Sequence, residues 1–197
     1  ATKQMLETGD IVEIRFQDEA RNKKPVGIYW LQAASVSLFG NAERNNIWAY
    51  RIPSVLGALA AVLFVFGAGA TLLGRREALI GAGLFAVTIL MVGEGHIAKT
   101  DAVLCATIVL MQWGLAKVYL ARGAGPSFWG DGAALFWIGL GLGLLVKGPV
   151  AAMIGALTIA ALWIADRNGR WLRGLKFLYG VPLMLLIVAP WAIAITI

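Results

Sequence analysis

The sequence predicts an all-α fold, a polytopic transmembrane helical bundle with helices lying at one membrane interface. Three observations carry that expectation. The 197 residues are 59% hydrophobic and only 14% charged, with a mean hydropathy of +0.76, far too apolar for a soluble domain of this length. Charge is unevenly placed, with 12 of the 28 charged residues in positions 1–46. Beyond that point apolar runs of spanning length recur, since a spanning helix needs about 20 apolar residues. Two regions follow: an outer-face segment, 1–46, with interfacial helices, and a bundle of about six spans, 47–197. The chain starts at Ala1 and ends inside an apolar run at Ile197, and it reads as a fragment cut at both ends.

In the outer segment, Ala1 to Thr8 reads as a helix end stopped by Gly9. Ile11 to Phe16 reads as a short extended stretch. Pro25 to Phe39 is an aromatic-rich helix too short to span, and Tyr29 and Trp30 near its start suit the headgroup region. Arg15, Asp10, Asp18 and Glu19 read as a solvated face.

The predicted spans are Ile52 to Leu73, Ala78 to Gly93, Ala102 to Ala121, Ala133 to Val146, Pro149 to Ala165, and Phe177 onward. Pro53 and Pro149 are expected in the first turns of their helices, where a missing N–H is harmless. Gly139, Gly141 and Gly143 point to close helix packing. The second and fourth spans reach about 24 and 21 Å at 1.5 Å per residue, short of a hydrocarbon core of about 30 Å. Their outer ends are therefore expected in a recess or a locally thinned bilayer.

Orientation comes from Lys and Arg. The loops holding Arg75, Arg76, Lys117, Arg122, Arg167, Arg170, Arg173 and Lys176 carry eight basic residues against Glu77, Asp131 and Asp166, which marks them as cytoplasmic. Residues 1–46, the 94–101 turn and the 147–148 turn then share the opposite face. The net charge of +6 is explained by those loops, so nucleic acid is not an expected partner, whereas membrane lipids are. The single Cys105 lies in an apolar span and excludes a disulfide framework.

Charges held at one membrane face mark a functional region. Lys23 and Lys24 precede Pro25 and either clamp a phosphate or snorkel toward anionic headgroups. Lys147, Gly148 and Pro149 form a helix end, a hinge and a helix start; the lysine either offsets the helix dipole or joins the free N–H groups of the next helix in holding an anion. Thr100 and Asp101 open the third span, and either is a candidate N-cap. Asp101 and His96 also suit acid or base work, or contacts to sugar hydroxyls. Glu94, His96 and Asp101 form only a weak metal set, with one histidine in the chain. Arg51 either binds phosphate or pairs with an acid of the outer segment.

Taken in order, "MLETGD" at 5–10, "NKKPVGIYWLQAASVSLFG" at 22–40, "YRIPSVL" at 50–56, "HIAKTDAVL" at 96–104 and "LVKGP" at 145–149 resemble the bacterial lipid A aminoarabinose transferases and the protein O-mannosyltransferases. These are integral-membrane GT-C glycosyltransferases of family 39. The resemblance implies transfer of a sugar from a polyprenyl-phosphate donor to a lipid or glycan acceptor, at an active site facing the periplasm or exterior of the cytoplasmic membrane. It implies no required cofactor, and metal dependence stays open. It assigns donor-phosphate binding to Lys24 and Lys147 and sets Asp101 to hold the transferred sugar or the acceptor; the reading of the residues themselves adds Arg51 for the phosphate, His96 for the sugar or acceptor, and Asp101 as the catalytic candidate. Two departures stand out. Lys23 replaces an acidic residue of the aminoarabinose branch, and the family's Asp-Glu motif is expected just upstream of Ala1. A different class is a transporter with an interfacial charged substrate site, whose charges are expected near the midplane between repeats.

Overall fold

The computed structural model describes the chain except residues 17–18, 21–24, 42, 123–126, 131 and 196–197; at Arg15, Phe16, Glu19 and Ala20 it describes the backbone only. Helix α1 (Thr2–Thr8) ends at Gly9, whose φ of 75° takes the left-handed cap that a side chain disfavours. Strands β1 (Arg15–Phe16) and β2 (Glu19–Ala20) pair antiparallel, so the stretch expected to be extended is half of a very short ribbon. Helix α2 (Gly27–Phe39) begins two residues after Pro25, with the Val26 carbonyl receiving the first helical bonds. Ile28, Gln32, Ala33, Ser35 and Val36 form its buried face, while Leu31 and Leu38 stay exposed.

Helix α3 (Ile47–Leu72) starts five residues before the expected span, so Pro53 lies inside it rather than in its first turn. Proline supplies no N–H for the carbonyl of Ala49, one helical turn earlier. Ser35 Oγ donates to that carbonyl at 2.6 Å. The packing of α2 on α3 thereby fills the one backbone bond that Pro53 leaves open.

The expected span 78–93 is two helices, α4 (Arg75–Ala86) and α5 (Ile89–His96), bent by 58°. The bend has a local cause. Thr88 takes an extended conformation, its Oγ1 donates to Phe85 O at 2.8 Å, and it accepts from Met91 N as the cap of α5. Helix α6 (Asp101–Leu120) is the most buried span and packs along both α3 and α7 (Ala133–Lys147). Helix α8 (Val150–Asp166), a 3-10 segment (Arg170–Leu175) and α9 (Phe177–Ala194) complete the order.

By length and composition α3, α6 and α9 can each cross a membrane, as can α4 with α5 taken as one bent span; α7 and α8 are shorter apolar helices. Their outward faces carry exposed leucines such as Leu59, Leu63, Leu84 and Leu186, a surface suited to lipid and not to water. The chain is a multi-pass membrane protein.

The largest core cluster joins Met111, Leu115 and Val118 of α6 to Phe136 and Trp137 of α7 and to Trp171 and Leu175. Close approach requires the glycines expected for it. A Cβ on Gly139 would stand 2.6 Å from Met111 N, one on Gly141 3.1 Å from Ile187, and one on Gly143 2.5 Å from the Cβ of Ala151. These contacts pack α7 against α6, α8 and α9, which positions the ends where charge collects.

Candidate functional site

Asp101 is the first residue of α6 and Lys147 the last of α7, 46 positions apart in sequence. The tight α6–α7 crossing brings their ends together, and Lys147 Nζ donates to Asp101 Oδ1 in an ion pair. Each charge also complements a dipole, the carboxylate at a helix start and the ammonium at a helix end. The pair remains open to a ligand: the side chains are 35% and 40% exposed. Both charges lie at helix ends, Asp101 at the start of a helix long enough to cross a membrane.

The turn after Lys147 needs glycine. Gly148 has φ 69° and ψ −138°, a conformation essentially reserved for that residue, and it lets the chain reverse into α8 within two residues. Its open Cβ position lies 3.8 Å from Pro25 Cγ. A Cβ on Gly27 would meet Leu145 O at 2.7 Å. The start of α2 therefore rests on the Lys147–Gly148 turn. Lys23 and Lys24 lie outside the described residues, but the residue that follows them is placed beside the ion pair's own turn.

Side chains that the sequence reading did not single out hold the facing turn, 97–100. Ser54 Oγ donates to Lys99 O at 3.0 Å, and Gln32 Nε2 reaches Ala98 O at 3.5 Å. Gln32 accepts in turn from Thr2 Oγ1 at 2.7 Å, tying α1 to the same point. Thr100 occupies the N-cap position of α6 without a cap bond, and its Oγ1 is buried without a partner. A polar residue spaced to face a turn carbonyl gives no signal in a single sequence, so Gln32 and Ser54 emerge only from the packing.

An apolar groove of about 400 Å³ opens between α2, α3, α6 and α7. Val103 and Leu142 lie on its wall, and the exposed Leu31, Leu38, Phe39 and Leu56 form its outer lip. It runs along the half of α6 that begins at Asp101, but neither Asp101 nor Lys147 lines it. An apolar groove open at its lip suits a hydrocarbon tail.

The other candidates are not joined to the pair. Arg51 is exposed near the start of α3, one turn before Ser54, and has no ion-pair partner among the described residues. His96 ends α5, where Nδ1–H donates to Val92 O at 2.7 Å, leaving Nε2 as the free acceptor of the neutral ring. It faces a separate apolar cleft with Val55, Ala58 and Met91. Among the described residues no three His, Cys, Asp or Glu side chains gather closely enough to hold a metal ion, and Glu94, His96 and Asp101 do not form a ligand set.

The chain matches the model of the dolichyl-phosphate-mannose-protein mannosyltransferase family over residues 23–193, most of its length. The chain belongs to that family. Among curated relatives it is similar to the undecaprenyl phosphate-alpha-4-amino-4-deoxy-L-arabinose arabinosyl transferases of Erwinia tasmaniensis, 31% identical over 201 residues, and of Aeromonas salmonicida, 32% identical over 197. Each match takes in 98% of this chain and 34% of the relative, so the chain spans about a third of the length of the curated relatives it matches. Two crystal structures of ArnT from Cupriavidus metallidurans share the fold. The apo form superposes with a TM-score of 0.87 at 22% identity, and the form bound to undecaprenyl phosphate with 0.81 at 23%. Both cover 99% of this chain and 35% of ArnT. This family has the all-α polytopic architecture expected from the sequence.

Proposed function

We propose that the chain is the donor-binding part of a glycosyltransferase that moves a sugar from a polyprenyl-phosphate carrier to a lipid or glycan acceptor, lipid A being the acceptor class that the resemblance favours. The observation that carries this reading is the Lys147–Asp101 pair at a turn against which Pro25, the residue after Lys24, is placed. Family membership and the relatives' names support it, as does the undecaprenyl phosphate in one ArnT structure. In this reading residues 1–46 face the periplasm or exterior, 47–197 form the bundle in the cytoplasmic membrane, and the basic loops at the opposite end of the helices face the cytoplasm.

The chemistry follows from the residues. An acceptor oxygen attacks the anomeric carbon, the bond from that carbon to the phosphate oxygen breaks, and polyprenyl phosphate leaves with an added negative charge, the proton of a hydroxyl acceptor passing to the departing phosphate. Lys147, with Lys24 from the segment before α2, stabilises that charge more strongly as it develops than in the bound donor. Asp101 holds the Lys147 side chain at the turn before the donor arrives. Once the phosphate takes over the ammonium, the carboxylate is released to accept hydrogen bonds from sugar hydroxyls or from the acceptor. Arg51 is the further candidate for the phosphate; His96, which faces a separate cleft, is not joined to this site. No metal is required for leaving-group stabilisation in this scheme.

The experiment is transfer of labelled sugar from a polyprenyl-phosphate donor by membranes carrying the protein. Lys24→Ala and Lys147→Ala are each expected to lower transfer about 100-fold, as loss of a preorganised donor to a developing anion does. Normal transfer in both variants would overturn the assignment.

A further inference from the structure

We propose that the protein has a second anion site at the opposite end of the bundle, a pocket for a phosphate group in which an anionic lipid headgroup would seat. The pocket has a volume of about 210 Å³ and is lined by Tyr119, Arg122, Asp166, Asn168, Arg170 and Trp171. It lies at the far end of α6 from Asp101, about 27 Å away at 1.5 Å per residue, and it is separate from the groove described above. Its volume is below the roughly 300–1,000 Å³ of sites for larger small molecules, a size for a headgroup and not for a glycan.

The lining chemistry selects an anion. Arg122 and Arg170 are exposed, and neither guanidinium has a partner among the described residues. The one acid, Asp166, is held to one wall by the Tyr119 hydroxyl, which donates to Oδ2 at 2.8 Å. The stretch 166–176 adds Arg167, Arg173 and Lys176 to the local field. A guanidinium offers a planar pair of donors that matches phosphate oxygens, which an ordinary orientation signal does not require. Trp171 forms part of the wall: it is 4% exposed and packs edge-on against Tyr119 with ring centroids 5.4 Å apart, which fixes the shape of the pocket beside the two guanidinium groups. The position at a helix end places the headgroup where a lipid of that leaflet lies.

The test is a titration of the detergent-solubilised protein with phosphatidylglycerol, counted by native mass spectrometry, with inorganic phosphate added alone and as competitor. One saturable lipid is expected, bound about tenfold more weakly by R122Q/R170Q, the cost of charge-assisted contacts at a solvent-open site. The same binding is expected unchanged in R75Q/R76Q, which removes equal charge from another loop at that end. Saturable binding of inorganic phosphate without lipid would keep the site and identify the source as free phosphate. Absence of saturable binding by either ligand, or equal loss in R75Q/R76Q, would overturn the proposal.

Discussion

Ser35→Ala removes the only side-chain donor among the described residues that reaches the Ala49 carbonyl, and the cost depends on a residue that Ser35 does not replace. Pro53 has no N–H to offer that carbonyl, Ala49 is fully buried, and Ser35 is 6% exposed, so water does not take over the bond. Leaving a buried acceptor unpaired costs about 1–3 kcal/mol, against about 0.5–1.5 kcal/mol for losing an ordinary hydrogen bond. In a Pro53→Ala background the new N–H at position 53 closes the helical bond to Ala49, and Ser35→Ala is expected to cost under about 1 kcal/mol. The coupling between the two sites is then on the order of 1 kcal/mol or more, within the range measured for residues sharing a partner. Four proteins, unaltered, S35A, P53A and S35A/P53A, would be compared by unfolding in detergent. Equal destabilisation by S35A in both backgrounds would refute the account of how α2 is fixed to α3. Because the helix that this bond fixes to α3 also begins against the Lys147–Gly148 turn, S35A alone is also expected to lower donor affinity.

Three further predictions concern the site. Lys147→Ala breaks an ion pair that is about a third exposed and is expected to cost at most about 1 kcal/mol of stability while transfer falls about 100-fold; parallel melts and rates separate the two roles. Asp101→Asn frees Lys147, so donor affinity is expected to hold or rise while turnover falls, a split between KM and kcat that a purely structural aspartate would not give. Gly148→Ala forces a side chain into φ 69°, ψ −138° and is expected to cost about 1–3 kcal/mol with loss of transfer, although its nearest neighbour, Pro25, leaves room for a methyl group.

Much of the architecture was legible because membrane spans announce themselves through composition. The positions of α6, α7, α8 and α9, the stop at Gly9 and the close packing of Gly139 and Gly143 all follow from local residue types. Pro53 misled for a physical reason. A first-turn proline needs no compensation, and the start at Ile47 is tolerated because Ser35, on another helix, supplies it. The break at Val87–Thr88 contains neither glycine nor proline, so only the side-chain bonds of Thr88 mark it. At the site, the sequence indicated Asp101 and Lys147 one by one, from their places at helix ends. That the two form a pair depends on the α6–α7 crossing, and that Gln32 and Ser54 hold the facing turn depends on α2 and α3. Neither relation is written in a spacing along the chain.

The most direct measurement is to label the protein in membranes with a polyprenyl phosphate carrying a photoreactive group near its phosphate end, then map the cross-links by peptide mass spectrometry. The account predicts labels on the groove wall, at Leu56, Val103 or Leu142, lost on competition with unlabelled polyprenyl phosphate and weakened by Lys147→Ala. Labels confined to α9 or to the pocket around Arg122 and Trp171, with the groove untouched, would contradict it.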